Sequence, residues 1–194
     1  MRKFSTVRTI ATPLDRANVD TDQIVPKQFL KLVQRSGFGK YLFYNWRFLA
    51  DGRPDPDFVL NDPKYASSRI LVAGDNFGCG SSREHAVWAL ADFGFDVVIS
   101  PSFADIFHDN CFKNGVLPVS LPAETVQKLQ KTSEPVEVSL EGQTVSIPGE
   151  TIPFEIDPHK RRILLEGLDD IALTLRYEAD IGSFEEGSKT PSVL

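Results

Sequence analysis

The chain has 194 residues, 41% of them hydrophobic, enough for one substantial core and a small appendage. Its 27 acidic residues against 21 basic ones give a formal charge of −6, and no basic tract follows a phosphate backbone, so a nucleic-acid partner is not expected. The apolar runs are strand-sized and no signal core follows the charged N-terminus, which points to no membrane span and to a cytoplasmic protein.

In chain order, Phe4 to Ile10 alternates as an early strand, and the run Asn18-Val-Asp-Thr-Asp22 reads as a polar loop. Lys27 to Val33 predicts a short helix ended near Gly37 and Gly39, and Gly52, Pro54 and Pro56 force an irregular stretch before Tyr65. Ile70 to Ala73 is a buried strand feeding a glycine-rich segment, Gly74 to His85. Ala86, Ala89, Leu90 and Phe93 then recur at helical spacing ahead of a strand at Val97 to Ile99. Phe103, Ile106, Phe107 and Cys111 give a second helical face, turned at Asn114-Gly115 into Val116 to Val119. Pro122 opens a short helix through Lys131. Val136 to Leu140 and Thr144 to Ile147 form a hairpin, so the later sheet is expected to be mixed. Arg162 to Leu165 belongs to a short helix ended by Gly167, residues 1–184 form a single domain, and residues 185–194 are a loose tail.

The segment Gly74-Asp-Asn-Phe-Gly-Cys-Gly-Ser-Ser-Arg-Glu-His85 sets glycines, two hydroxyls and a cation at a helix start, which is a pattern for handling an anion. It lacks the spacing of a dinucleotide fingerprint and the ending of a phosphate loop, and it is not the nucleophile elbow of a serine hydrolase. Ser81-x-x-Glu84 has a purely structural reading as a capping box, Arg83 one as an ion-pair partner, and His85 one as a packed or capping side chain. Cys79 and Cys111 are too few and too far apart for a zinc or iron-sulfur site, and they are expected to be reduced. No metal ligands are expected in this chain.

The motifs together are more specific than any one of them. Asn18 to Leu30, Gly37 to Arg47, Asp75 to His85, Ser102 to Phe107, Asn110 to Pro118 and Gly167 to Ile171 resemble the small subunits of 3-isopropylmalate dehydratases, within the aconitase family, over Phe4 to about Glu185. The resemblance implies an α/β fold, a swivelling β/β/α domain similar to the fourth domain of aconitase, here a separate chain. It implies a large-subunit partner holding a [4Fe-4S] cluster whose open iron acts as a Lewis acid, with no cofactor bound by this chain alone. The implied substrate is a small dicarboxylate, 2-isopropylmalate, dehydrated to 2-isopropylmaleate and rehydrated to 3-isopropylmalate in leucine biosynthesis. Ser81 matches the serine that serves as base, Arg83 would hold a substrate carboxylate, and Ser82 would donate a supporting hydrogen bond. Asp20, Thr21 and Asp22 match a supporting loop, joined by Gly78, Gly80 and His85, and their bland alternative is an Asx-type turn. Arg35 lies in a segment where substrate recognition is expected, with a solvated surface role as its alternative. Leu42, Phe43 and Tyr44 suggest a less polar pocket than a third substrate carboxylate would want, which favours the isopropyl group. Val87 stands where relatives usually carry proline, a change that bears on helix packing more than on chemistry. Two other readings stay open: a homoaconitase or related hydro-lyase subunit, and a noncatalytic anion-binding assembly subunit.

Overall fold

Residues 1–31 and 37–187 are described by the computed structural model. The first strands are β1 (Val7–Ile10) and β2 (Thr12–Leu14), followed by two one-turn helices, α1 (Thr21–Ile24) and α2 (Tyr44–Arg47). An α/β stretch comes next: β3 (Ile70–Ala73), α3 (Glu84–Phe93), β4 (Val97–Ser100), α4 (Asp105–Lys113), β5 (Leu117–Ser120) and α5 (Ala123–Lys131). Three strands, β6 (Pro135–Ser139), β7 (Thr144–Ile147) and β8 (Glu150–Pro153), precede α6 (Pro158–Glu166), α7 (Asp170–Leu175) and α8 (Glu178–Gly187).

The expected mixed sheet is not formed. Instead there are two unmixed four-stranded sheets, one antiparallel in the order β1-β6-β7-β8 and one parallel in the order β2-β3-β4-β5. Burial explains the separation. Every residue of β3 and β4 is buried, as a parallel strand covered on both faces requires, whereas β6 alternates buried with half-exposed residues. The chain changes sheets at buried Ala11, between β1 and β2.

Alternation along the parallel strands divides the core in two. Leu71, Ala73 and Val98 face one cluster with Ala86, Leu90, Phe107 and Cys111 from α3 and α4. Ile70, Val72, Val97 and Ile99 face the other, shared with Val136, Val138 and Val145 of the antiparallel sheet and with Val126 and Leu129 of α5. The antiparallel sheet and α5 therefore cover one face of the parallel sheet, and α3 and α4 cover the other.

Several elements depart from the sequence expectation. Ile106 is largely exposed and Phe103 precedes α4, because the buried face is centred on Phe107, Asn110 and Cys111 and Ile106 sits about 100° away from Phe107. Strand β8 was masked by Pro148-Gly149 and Pro153, and an edge strand tolerates such a proline. Helix α6 starts earlier than expected, since the Asp157 carboxylate accepts from the His159 and Lys160 amides at 2.9 and 3.0 Å and Pro158 fits the first turn. The expected helix from Lys27 appears as a single 3-10 turn at Lys27–Phe29, and its end at Val33 lies outside the described residues. Helix α8 takes in residues 185–187 of the expected tail, and residues 188–194 lie outside the described residues. Val87 is buried in α3.

Candidate functional site

The glycine-rich segment leaves the C-terminal end of β3, the end of a parallel sheet where ligands gather. It runs beside the loop that follows β2 and is hydrogen-bonded to it along its length. The Asn18 amide donates to the Asp75 carbonyl at 2.8 Å, the Gly78 amide to Val19 at 2.8 Å and the Thr21 amide to Cys79 at 2.9 Å. The buried Thr21 hydroxyl then donates to the Ser81 carbonyl at 3.0 Å. Asp20 and Cys79 form a parallel bridge with the same 59-residue offset that pairs Thr12 with Leu71 in the sheet. A third loop joins through Ser102, whose hydroxyl donates to Asp75 at 2.5 Å and accepts from the Asn76 amide at 3.0 Å. The sequence reading gave Asp75, Asn76 and Ser102 no role, and spacing alone carries no signal for one.

The polar loop at 18–22 ends in a helical turn. Asp20 is the N-cap of α1 and makes a complete capping box: its carboxylate accepts from the Gln23 amide at 2.7 Å, and the Gln23 side chain accepts from the Asp20 amide at 2.9 Å. The signal was Asp20-x-x-Gln23. The other proposed box, Ser81-x-x-Glu84, is not made. Arg83 is the N-cap of α3, no side chain caps that helix, and Glu84 is engaged by the Asn114 side chain at 2.8 Å.

Ser81 and Ser82 are consequently exposed, while the first amides of α3 have no side-chain acceptor, which leaves a positive helix end beside them. Arg83 is mostly covered and is ion-paired with Asp22 of α1. The hydrogen bond from Arg83 holds the Asp22 carboxyl below the usual carboxylate value. Gly78 and Gly80 shape the loop with φ of +78° and +89°. A Cβ on Gly78 would stand 2.1 Å from the Phe107 ring, so that position excludes any side chain. His85 packs its ring 4.5 Å from Trp88 and 5.3 Å from Phe38, which places it in an aromatic cluster at the base of α3.

Three expected site residues are not brought to the site by the described structure. Arg35 lies outside the described residues. Leu42 and Phe43 are completely buried in the core, and the Phe43 amide donates to Ile24 at 2.8 Å, so they cannot line an open substrate pocket. The neighbouring segment is tied to α3 instead, because Asp92 accepts from the Gly37 and Gly39 amides at 3.0 and 2.8 Å. Among the described residues no group of three or more His, Cys, Asp or Glu could hold a metal ion. Burial, assisted by the Asp20 carboxylate, pushes the Cys79 thiol up, and burial alone pushes Cys111 well up. Two protonated thiols, one of them fully enclosed, do not fit a cluster.

A β/β/α domain that exposes two serines beside a largely covered arginine at the carboxyl edge of its parallel sheet has the architecture of the aconitase swivelling domain. The family described as aconitase C-terminal domain matches residues 1–124. Relatives named 3-isopropylmalate dehydratase small subunit match at 56% identity over 99% of this chain and 98% of the Paramagnetospirillum magneticum protein, and at 59% over 91% and 93% for Halalkalibacterium halodurans. A crystal structure of 3-isopropylmalate dehydratase from Methanocaldococcus jannaschii is similar with a TM-score of 0.71 and 27% identity, covering 92% of this chain and 99% of that one. The chain belongs to the aconitase family, as a small subunit of the 3-isopropylmalate dehydratase type.

Proposed function

We propose that this chain is the proton-transferring and carboxylate-binding half of a hydro-lyase that interconverts 2-isopropylmalate and 3-isopropylmalate through 2-isopropylmaleate. The observation that carries the reading is an exposed, uncapped Ser81 beside Arg83 and the free start of α3. A serine alkoxide is costly in water, and the helix end together with the guanidinium lowers that cost where the base must form. Ser81 removes the proton from the substrate carbon and later returns it. Arg83 holds a carboxylate with its two-pronged fork, Ser82 adds a hydrogen bond, and the Thr21 hydroxyl fixes the backbone of Ser81.

A [4Fe-4S] cluster in a large subunit would supply Lewis acidity toward the departing hydroxyl. Nothing in this chain's cysteine set substitutes for it. The same reading places the assembled enzyme in the cytoplasm, where free thiols stay reduced.

The test is Ser81→Ala in the complex with the cluster-bearing subunit. Because Ser81 makes no cap, stability should change by no more than about 0.5 kcal/mol, as for other exposed positions. Exchange of the substrate's carbon-bound proton with deuterated solvent should be lost. Near-wild-type exchange by the fully assembled variant overturns Ser81 as the base, and turnover of homoaconitate in preference to isopropylmalate overturns the substrate.

A further inference from the structure

The large apolar side chains described as exposed are concentrated at one end of the chain. Ile171 is 72% exposed, Leu175 57%, Tyr177 63% and Phe184 76%, with Ile181 close by at 39%, whereas only Leu49 and Ile106 are comparable elsewhere among the described residues. Ile181 and Phe184 are three residues apart and share one face of α8, Ile171 and Leu175 share a face of α7, and Tyr177 lies in the turn between the two helices. Exposed apolar surface gathered in this way marks an interaction site.

The root of this arm is fixed to the body of the protein. Leu168, Leu173 and one side of Tyr177 line a cleft of about 300 Å³ with Ile163, Arg162 and Arg176. Both arginines grip Glu166 at the end of α6, and Asp169 caps α7 by accepting from the Ala172 amide at 2.8 Å. The inward side is thereby committed, and the outward apolar side is left over.

Charge selects what covers it. Helix α8 carries Glu178, Asp180, Glu185 and Glu186 and no basic residue. Two such arms meeting across a two-fold axis would bring like charges together, which disfavours a second copy, and an anionic lipid surface would repel the same helix. The complement is an apolar protein groove rimmed by Lys and Arg. Five side chains of this size offer a few hundred Å², less than the ~800 Å² each side gives to a standard interface, so the arm is one part of a larger contact.

We propose that α7 and α8 form a docking arm that seats in an apolar, basic-rimmed groove of the large subunit. The proposal rests on the reading that a cluster-bearing large subunit is this chain's partner. Two variants of the full chain test it, Leu175→Ser with Phe184→Ser, and Glu185→Lys with Glu186→Lys, each titrated against the large subunit by biolayer interferometry at low and high salt. The expected result is at least a tenfold weaker Kd for each, with unchanged circular dichroism and melting temperature, and a flattened salt dependence for the charge-reversed variant. The charge-reversed variant alters only exposed positions, so it decides the matter even if the serine variant folds poorly. A normal wild-type complex with unchanged variant affinities overturns the arm alone, and so does sedimentation showing that the apolar face instead pairs two copies of this chain. Failure of the wild-type chain to bind the large subunit overturns the functional reading together with the arm.

Discussion

Gly78 and Gly80 both hold left-handed backbone, but only one of them lies against a wall, and the contrast can be measured. At Gly80 the nearest atom to an added Cβ is the Asp20 Cβ at 3.4 Å, an ordinary contact. Gly80→Ala should therefore cost only the left-handed backbone strain of about 1–2 kcal/mol. At Gly78 the same methyl meets Phe107 Cγ at 2.1 Å and its Cβ at 2.6 Å. Phe107 is buried and set edge-to-face with Phe77 at 5.3 Å, so it cannot swing away cheaply. Overpacking then adds about 1–3 kcal/mol, for a total of roughly 2–5 kcal/mol. Urea unfolding of the two variants, compared at equal m-value, reads the difference directly as a shift in midpoint. Placing Gly78→Ala on a Phe107→Ala background should recover about 1–3 kcal/mol of coupling, since the clash loses its partner. Equal midpoints for the two alanine variants, or strict additivity with Phe107→Ala, would refute the argument.

Three further outcomes follow from the same geometry. Leu42→Ala should cost about 2–5 kcal/mol in chemical unfolding, as a fully buried leucine does, and should leave substrate preference untouched; a changed preference with an unchanged melting temperature would restore Leu42 to the pocket. Asp22→Asn should cost under about 1 kcal/mol because the carboxylate is half-exposed and screened. Arg83 lowers the folded pKa of Asp22, so its contribution is complete above the ordinary value of 3.8 and fades as pH falls through the lower folded value; an unfolding titration identical to wild type down to pH 2 would contradict that. His108 sits among Phe103, Phe112, Lys160, Asp109 and Asp105, and burial followed by Lys160 lowers its pKa from 6.5 against the opposing pull of the two aspartates. The unfolded chain therefore binds the proton first, and stability should decline as pH drops below 6.5; a urea midpoint that falls equally between pH 7.5 and 5.5 in His108→Gln would remove His108 as the cause.

The strands were legible wherever burial leaves a periodic mark. Ile70 to Ala73 and Val97 to Ile99 read as continuous apolar runs because both faces are covered, and Val136 and Val138 read as alternation because one face is not. That the two kinds of strand belong to separate sheets was not legible, since the switch at Ala11 is a change of partner and not of pattern. The glycine-rich loop and its serines were placed correctly at a strand-to-helix turn. Their local bonding was not, because Ser81-x-x-Glu84 satisfies the spacing of a cap while tertiary contact gives Glu84 to Asn114. Leu42 and Phe43 illustrate the opposite error, in which apolar character was taken for a ligand pocket and belonged to the core.

The shared offset between the β2–β3 pairing and the Asp20–Cys79 bridge bears on how the sequence can vary. Surface loops ordinarily absorb insertions and deletions, because little depends on their length. Here the two loops leave the ladder, stay hydrogen-bonded to each other and return to the sheet's offset at the Asp20–Cys79 bridge, with the Thr21 hydroxyl as the last tie, on the Ser81 carbonyl. One residue added to or removed from either loop would slide that tie off its serine while the sheet below stayed in place. Evolution can exchange side chains along these loops, but it can alter their lengths only in step.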